Sequence, residues 1–261
     1  MPAAPDVLPS APGEVRLLAA ARRLEPSLQV EEQADRVRWR DPASGQQRES
    51  GLHDYPGLYA VPGLYEAIFE LRLAGGSPAL LAEALAEVVS AAQIAERRVL
   101  DVGAGTGAVG ARLWERGWRH LVGVDLLAAS ALALRRDRGE VYTAARALDL
   151  LRLDEEELGW LRGLGSDTVT TAGAVGFGHL PVGAFEVLTD LLPEGGLLAV
   201  TVARDWQTEP ALGAHAAVLG GPAYVLRASL DGVHRRTVQG GEQLVSALVL
   251  ERTDRVQRRG T

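Results

Sequence analysis

The residues best suited to chemistry surround a glycine-rich turn near the middle of the chain. Gly103, Gly105 and Gly107 follow an apolar strand predicted over residues 98–102 and precede a stretch of helical periodicity that begins at Ala108. Glycines at such a junction let the backbone approach a ligand at the carboxyl edge of a parallel sheet, beside a helix N-terminus. The turn therefore predicts a ligand site on a strand–turn–helix unit.

Two aspartates accompany this turn. Asp125 ends the next predicted strand, where a carboxylate can accept hydrogen bonds from both hydroxyls of a ribose. Asp101 lies inside the first strand, two residues before Gly103. With the glycines it resembles the D-x-G-x-G-x-G pattern of S-adenosylmethionine (SAM) binders, in which the carboxylate lies near the ammonium and sulfonium charges of the ligand; beside a pyrophosphate it would repel. The pair predicts a nucleoside ligand that carries positive charge.

A second interpretation of the turn stays open, because Gly103, Gly105 and Ala108 also satisfy the G-x-G-x-x-A pattern of dinucleotide sites. On that pattern the chain would be an NAD(P)-dependent oxidoreductase. Asp101 argues against it, and so does the tail of the chain, which has the pattern of a β-hairpin and not of a separate substrate domain. We therefore keep the oxidoreductase as the alternative.

The elements around the turn alternate between strand and helix. Further strands are predicted over residues 120–124, 141–144, 168–172 and 197–202, with helices between them, and this spacing indicates βαβ units and a parallel sheet. The tail differs, because residues 233–238 and 244–250 flank Gly240-Gly241 as an antiparallel pair would. Other predicted helices cover residues 77–95, 108–115, 127–136, 154–161 and 182–191, with Ser77 as the N-cap of the first and Asp154 as the N-cap of the fourth.

The first 50 residues carry no motif. We predict an N-terminal extension over residues 1–50, made of a helix at 14–23 and short strands at 28–30 and 37–39. It could be a lid, a dimer element or a packing brace. The main domain then covers residues 51–261 and opens with an aromatic loop that enters a helix at Pro62.

Two further sequence segments resemble those of a known family. Leu192-Pro-Glu-Gly-Gly-Leu leads into the strand at 197–202, and Ala172-Gly-Ala-Val-Gly-Phe-Gly-His-Leu-Pro181 follows the strand before it. With the glycine turn, they make residues 51–252 resemble a class I SAM-dependent methyltransferase, close to a largely uncharacterised bacterial small-molecule group and loosely to the Williams–Beuren type. The resemblance implies a Rossmann-like α/β fold with a seven-stranded, mostly parallel sheet whose last strand is antiparallel. Glu194 lengthens the usual Pro-Gly-Gly turn by one residue.

The resemblance also assigns roles to residues of the site. Asp125 would hold the ribose and Leu126 would lie against adenine, while Asp149 and Leu150 resemble the acidic-apolar pair that meets the adenine amino group. The expected cofactor-binding residues are Asp101, Gly103, Ala104, Gly105, Gly107, Asp125, Leu126, Asp149, Leu150 and Gly173.

Catalytic and substrate residues should come from loops at the carboxyl ends of the strands. His179 follows the fourth strand of the domain, and we predict it as a general base, with a loop-bracing role as the alternative. Tyr55 and Tyr59 are predicted substrate-binding residues, in the segment where the resemblance implies a lid over the cofactor; alternatively they simply pack the extension onto the sheet. Trp206 is a predicted wall of the substrate pocket, and residues 234–236 are predicted as a solvated strand face.

Composition restricts the substrate. The chain has no cysteine, which excludes cytosine C5 chemistry, and its net charge of −7 disfavours nucleic acid. The (Asp/Asn)-Pro-Pro-aromatic motif of adenine and glutamine amino-methyltransferases is absent after the fourth strand, and no Asp/His cluster indicates a metal. No apolar run is long enough to span a membrane.

The resulting expectation is methyl transfer from SAM to an O or N atom of a small-molecule metabolite, with S-adenosylhomocysteine as the second product. We expect a cytoplasmic monomer or homodimer that has no nucleic-acid or membrane partner. Besides the oxidoreductase, a SAM-binding protein without transferase activity is the remaining alternative.

Overall fold

The N-terminal part of the chain forms a small helix-and-sheet layer. The structure, a computed structural model, describes residues 8–175 and 179–253. Helix α1 (Pro12–Leu24) precedes three antiparallel strands, β1 (Gln29–Glu31), β2 (Arg36–Arg40) and β3 (Gln47–Gly51). The helix and the first two strands lie close to the predicted positions. The third strand was not predicted, because its sequence Gln-Arg-Glu-Ser-Gly has no apolar alternation and pairs with β2 through its backbone.

The main sheet has seven strands among the described residues. Their order is β6-β5-β4-β7-β8-β10-β9; β4 to β8 are parallel, and β10 is antiparallel to both β8 and β9. This topology confirms the predicted Rossmann-like α/β fold with its antiparallel last strand. The strands are β4 (Arg98–Val102), β5 (His120–Asp125), β6 (Ala144–Ala147), β7 (Thr168–Thr171), β8 (Leu197–Ala203), β9 (Tyr224–Arg236) and β10 (Glu242–Arg252).

Helices cover both faces of the sheet, as its parallel strands require. Leu81, Leu113 and Leu134 belong to the hydrophobic cluster on one face, and Leu161 and Leu188 belong to the cluster on the other. The helices of the first face are α3 (Ser77–Val88), α4 (Ala91–Ile94), α5 (Ala108–Trp114) and α6 (Ala128–Asp137), and those of the second are α7 (Glu155–Gly163), α8 (Val182–Leu191) and α9 (Gly213–Leu219).

Three local predictions need correction. The helix predicted over 77–95 is broken, because Val89 is extended and Ser90 precedes a new helix; its N-cap is Gly76, not Ser77. The strand predicted at 141–144 lies at 144–147 instead, since Val141 and Tyr142 are buried in the turn before it. Asp154, by contrast, caps α7 as predicted and accepts from the Glu157 backbone N–H at 2.8 Å.

The aromatic segment after β3 is largely helical. Helix α2 (Tyr55–Ala60) precedes Pro62, and a π-helix spans Glu66–Arg72. Asp54 caps α2 by accepting from the Gly57 N–H at 3.3 Å, and Pro56 lies in the first turn, where a missing N–H costs nothing. The prediction of a loop before Pro62 is therefore wrong, because the segment contains α2, whereas the helix predicted at Pro62 begins two residues later, at Leu64. Across residues 8–175 and 179–253, no helix is long and apolar enough to cross a membrane.

Candidate functional site

The glycine turn has the backbone that its sequence predicts. Gly103, Gly105 and Gly107 have φ values of +65°, +54° and +94°, in the left-handed region that disfavours residues with a Cβ. Gly107 also has no room for a side chain, because an added Cβ would lie 2.6 Å from Leu134 Cδ2 and 2.7 Å from Tyr142 Cε2. The turn therefore packs tightly onto α6 on one side and presents its backbone at the carboxyl edge of the sheet.

Asp125 ties this turn to the end of the neighbouring strand. Its Oδ2 accepts from the Gly105 N–H and its Oδ1 accepts from the Leu127 N–H, each at 2.9 Å. Ser130 adds a third bond by donating to the Gly105 carbonyl at 2.7 Å. Each carboxylate oxygen has two lone pairs, so Asp125 keeps acceptor capacity for the hydroxyls of a ligand. This residue combines a structural role in the turn with the predicted role of ribose holder.

The predicted adenine contacts lie on two adjacent loops. Leu126 follows β5 and is 66% exposed, which is unusual for a large apolar side chain. Asp149 and Leu150 follow β6, which pairs with β5 in parallel and so brings their loop beside Leu126. Leu150 is buried, whereas Asp149 is half-buried and accepts from the Leu151 N–H at 3.0 Å. The edge thus offers an exposed apolar surface with a carboxylate next to it.

Asp101 is turned into the protein interior. Its side chain is 1% exposed, and its two oxygens accept from the Tyr142 hydroxyl at 2.6 Å and the Thr170 hydroxyl at 2.8 Å. Burial raises the pKa of Asp101 to about 6, although both hydrogen bonds act to lower it. The Tyr142 hydroxyl also accepts from the Gly110 N–H at 3.1 Å, so Asp101 braces the start of α5. Its predicted contact with a cationic ligand stays a prediction.

Aromatic side chains cover the glycine turn. Tyr59 is buried, and its hydroxyl would lie 3.0 Å from a Cβ built on Gly105. Its ring centroid is 5.9 Å from that of Tyr55 and 5.4 Å from that of Tyr65, which in turn lies 4.6 Å from Phe69. We call Tyr55, Tyr59, Tyr65 and Phe69 the aromatic roof. Of the two predicted lid tyrosines, Tyr59 therefore lies against the predicted cofactor turn, and Tyr55 stacks on Tyr59.

On another side of the turn, three segments distant in sequence come together. A Cβ on Gly103 would lie 3.1 Å from the Ala174 Cβ, and one on Gly173 would lie 3.5 Å from His234 Cε1. The Gly173 N–H donates to Thr201 Oγ1 at 2.9 Å, which fixes the chain just after β7. His234 was predicted on a solvated strand face but is half-buried. Sequence spacing gave no signal for its approach to Gly173.

The two remaining predicted residues differ in their surroundings. His179 is exposed, and its ring meets Tyr55 edge-on with centroids 5.8 Å apart, so it borders the aromatic roof. Gly176 and Gly178, which the sequence phrase places beside it, lie outside the described residues. Trp206 is only 8% exposed and belongs to the hydrophobic cluster that includes Phe185. Packing in the core accounts for Trp206 without a pocket.

A buried arginine connects the turn to the extension. Arg138 follows α6 and is 0% exposed; its Nε donates to Glu14 Oε2 at 2.6 Å and its Nη1 donates to Glu66 Oε1 at 2.9 Å. Nη1 also donates to the Thr106 carbonyl inside the glycine turn. Glu14 lies on α1 and Glu66 on the π-helix, so one guanidinium joins both to the turn. Sequence reasoning missed this residue, because its partners are remote along the chain.

Two buried hydroxyl groups near the glycine turn are available to hydrogen-bond a ligand. Thr106 Oγ1 and Thr171 Oγ1 are buried at the carboxyl edge and have no hydrogen-bond partner among the described residues. Two clefts on the described surface lie away from the turn, one beside Gln93 and Asp167 and one beside Leu17 and Arg136. At the turn itself, the Tyr59 hydroxyl lies against Gly105.

Comparison with known proteins gives a likeness in fold. No family model and no curated protein matches the sequence. A structure from work on the conversion of a disulfide bond into a thioacetal group in echinomycin biosynthesis superposes with a TM-score of 0.51 at 17% identity, over 69% of this chain and 83% of that one. The likeness supports the Rossmann-like fold alone.

Two weaker structural matches carry methyltransferase names. Magnesium protoporphyrin IX methyltransferase from Synechocystis PCC 6803, solved with bound SAM, has a TM-score of 0.48 and 16% identity over 67% of this chain and 79% of that one. A suspected RNA methyltransferase from Pyrococcus horikoshii has a TM-score of 0.48 and 14% identity over 67% and 84%. At these scores neither match decides the function.

Proposed function

We propose that this chain transfers a methyl group from SAM to an O or N atom of a small molecule and releases S-adenosylhomocysteine. The observation that carries the proposal is the left-handed glycine turn after β4, held by Asp125 at the end of β5. In a Rossmann-like sheet, ligands bind at this carboxyl edge. The turn, an acidic residue with spare lone pairs and the exposed Leu126 lie at this edge and would together bind a nucleoside.

The residues of the chain divide the task between them. The backbone at Gly103 and Gly105 would approach the methionine part of the cofactor, Asp125 would hold the ribose, and Leu126, with Asp149 and Leu150, would contact the adenine. When bound, SAM supplies an electrophilic methyl group for an in-line displacement. The aromatic roof would exclude water and align the acceptor, since alignment is the main contribution that such a reaction needs from a protein.

Charge disfavours two alternative functions, and a product assay tests a third. The G-x-G-x-x-A match would place a pyrophosphate at the turn, one residue beyond the strand that holds the buried Asp101 carboxyl. A nucleic-acid substrate such as RNA is disfavoured by the net charge of −7. A SAM-binding protein without transferase activity would share the whole cofactor site, and a product assay separates it from an enzyme.

Calorimetry tests the cofactor. The wild-type protein should bind SAM or S-adenosylhomocysteine with micromolar affinity and NAD much more weakly. Asp125→Ala removes the predicted charge-assisted bonds to the ribose, which corresponds to a loss of about 2–4 kcal/mol, or about 30- to 1,000-fold in Kd.

Asp41→Ala is the matched control, because Asp41 Oδ1 likewise accepts two backbone N–H groups, from Ala43 and Ser44, but in the β2–β3 turn. It should leave the affinity for S-adenosylhomocysteine unchanged. Thermal melts of both variants report any loss of folding separately from loss of binding. Tight NAD binding without SAM binding would contradict the proposal, and an Asp125→Ala variant of full affinity would place the ribose elsewhere.

A further inference from the structure

The end of β9 is attached to the segment that leads into α3. The Gly76 N–H donates to the His234 carbonyl at 2.8 Å, and the Arg236 N–H donates to the Leu73 carbonyl at 2.6 Å. Both bonds lie just after the His234 side chain along the strand, and on the opposite edge Val233 and Arg235 pair with Leu244 and Gln243 of β10. The backbone that carries this imidazole is therefore fixed, although it belongs to the edge strand of the sheet.

The imidazole ring is also held. His234 Nδ1 lies 2.8 Å from the hydroxyl oxygen of Ser77, which is the first residue of α3 and is only 2% exposed. His234 Cε1 faces Gly173, where a built Cβ would approach it to 3.5 Å. When Nδ1 donates its hydrogen to Ser77, the free electron pair of the ring is on Nε2, the nitrogen adjacent to Cε1.

The charges around this ring favour its neutral form. Burial and the positive charge of the neighbouring Arg235 together lower the pKa of His234 to about 4. Arg235 itself pairs with Glu32 at 2.9 Å, so its guanidinium is held beside the extension. The ring is therefore neutral at pH 7, and the lone pair on Nε2 is free to accept a hydrogen bond from an O–H or N–H group.

We propose that His234, oriented by Ser77, accepts the proton from the atom that receives the methyl group. The proposal rests on the proposed function, because it needs a methyl acceptor near Gly173. Nε2 takes the proton from the acceptor O–H or N–H, the lone pair on that atom forms the new bond to carbon, and the electron pair of the broken carbon–sulfur bond stays on sulfur.

His179 is the competing candidate for this role. It lies on the loop after β7, is exposed, and has its ring against Tyr55. His234 differs in having a polar partner on one ring nitrogen and a fixed backbone, which are the features that orient a general base. Substitution of each histidine separates the two assignments.

The first experiment uses ring NMR and needs no acceptor. The Cε1–H signals of the five histidines are assigned by substitution, and S-adenosylhomocysteine is then added to the full chain. We expect the His234 signal to shift, and the signal of the exposed His120, at the opposite end of β5, to stay in place. If the nucleoside binds by calorimetry and the His234 signal does not move, the proposal is overturned.

The second experiment measures turnover. SAM is supplied with catechol, 4-hydroxybenzoate and tyramine as probe acceptors, and formation of S-adenosylhomocysteine is followed. His234→Asn keeps a polar atom at the Nδ1 position but removes Nε2, so kcat should fall about 10²- to 10⁴-fold while the Kd of S-adenosylhomocysteine stays within about threefold. Ser77→Ala should lower kcat less, and Ser77→Thr should restore it.

His120→Asn serves as the control and should leave turnover unchanged. Full turnover by His234→Asn, or a loss confined to His179→Asn, would overturn the proposal. Failure of the wild-type protein to bind S-adenosylhomocysteine would instead overturn the proposed function, and calorimetry shows this before any histidine is changed.

Discussion

Replacement of Arg138 by methionine should destabilise the protein more than the same substitution at an exposed arginine. Arg138 is 0% exposed, and its partners Glu14 and Glu66 are each 1% exposed. Loss of one partner from a buried ion pair leaves an uncompensated charge and costs about 3–5 kcal/mol. Arg138 also donates to the Thr106 carbonyl, so the glycine turn loses a bond as well. For a chain of this size, the expected fall in Tm is about 6–20 °C.

The loss of thermal stability in Arg138→Met should depend on pH. Burial raises the pKa of Glu70, and the nearby Arg138 acts against that rise. In Arg138→Met this opposing charge is gone, so the pKa of Glu70 in the folded state rises further above its unfolded value. A carboxyl with a raised pKa destabilises the fold at high pH and less so as it takes up a proton. The deficit in Tm should therefore be larger at pH 8 than at pH 5.5.

Thermal melts of the wild type, Arg138→Met and Arg16→Met at both pH values measure this. Arg16 lies on α1 and pairs with Glu140 at 3.4 Å, but its side chain is 69% exposed. Exposed pairs contribute little, so Arg16→Met should melt close to the wild type. If the two variants melted alike, or if the deficit of Arg138→Met did not change with pH, the reasoning about the buried cluster would be refuted.

Two further predictions concern the site. Asp101→Asn should raise Tm, because it removes the free-energy cost of a buried charge, which for a pKa raised from 3.8 to about 6 is roughly 3 kcal/mol at neutral pH. The wild-type carboxyl regains its proton as the pH falls, so the gain in Tm should shrink between pH 8 and pH 5. A gain in Tm that did not depend on pH would contradict a raised pKa. Hydrogen exchange across residues 53–65 should slow when S-adenosylhomocysteine is added, because a ligand at the turn would contact Tyr59, whose hydroxyl lies against Gly105, and would restrain α2. Identical exchange with and without ligand would assign the roof to static packing.

The fold could be predicted because its strands are marked locally. Residues 98–102 and 120–125 are short apolar runs bounded by turn residues, and their strands lie where the periodicity indicates. The hairpin of β9 and β10 was signalled by Gly240-Gly241, although both strands are longer than predicted. Helix α2 was missed, because Pro56 and Gly57 are typical of loops and only the Asp54 cap favours a helix.

The site could be predicted only where its residues are neighbours in sequence. The glycine turn and Asp125 follow from spacing, and both hold the geometry that the spacing implies. Arg138 and Glu14 are 124 positions apart, and Ser77 and His234 are 157 apart, so no local pattern links them. The inward position of Asp101 depends on its pairing with Thr170 of β7, a register that a single sequence does not contain.

The ion pairs of the extension favour its role as a brace for the aromatic roof. Glu14 and Glu66 hold Arg138 at the glycine turn, while Glu32 holds Arg235 beside His234. Helix α2 lies between Glu32 and Glu66 along the chain, so an ion pair holds the chain on each side of its tyrosines. Arg136 of α6 also donates to the Tyr59 carbonyl at 2.9 Å and to the Ala60 carbonyl at 3.2 Å, so α2 is bonded to α6 as well. Because α1 and the π-helix are bonded through Arg138 to the Thr106 carbonyl, the elements that support the roof are bonded to the same turn against which Tyr59 lies.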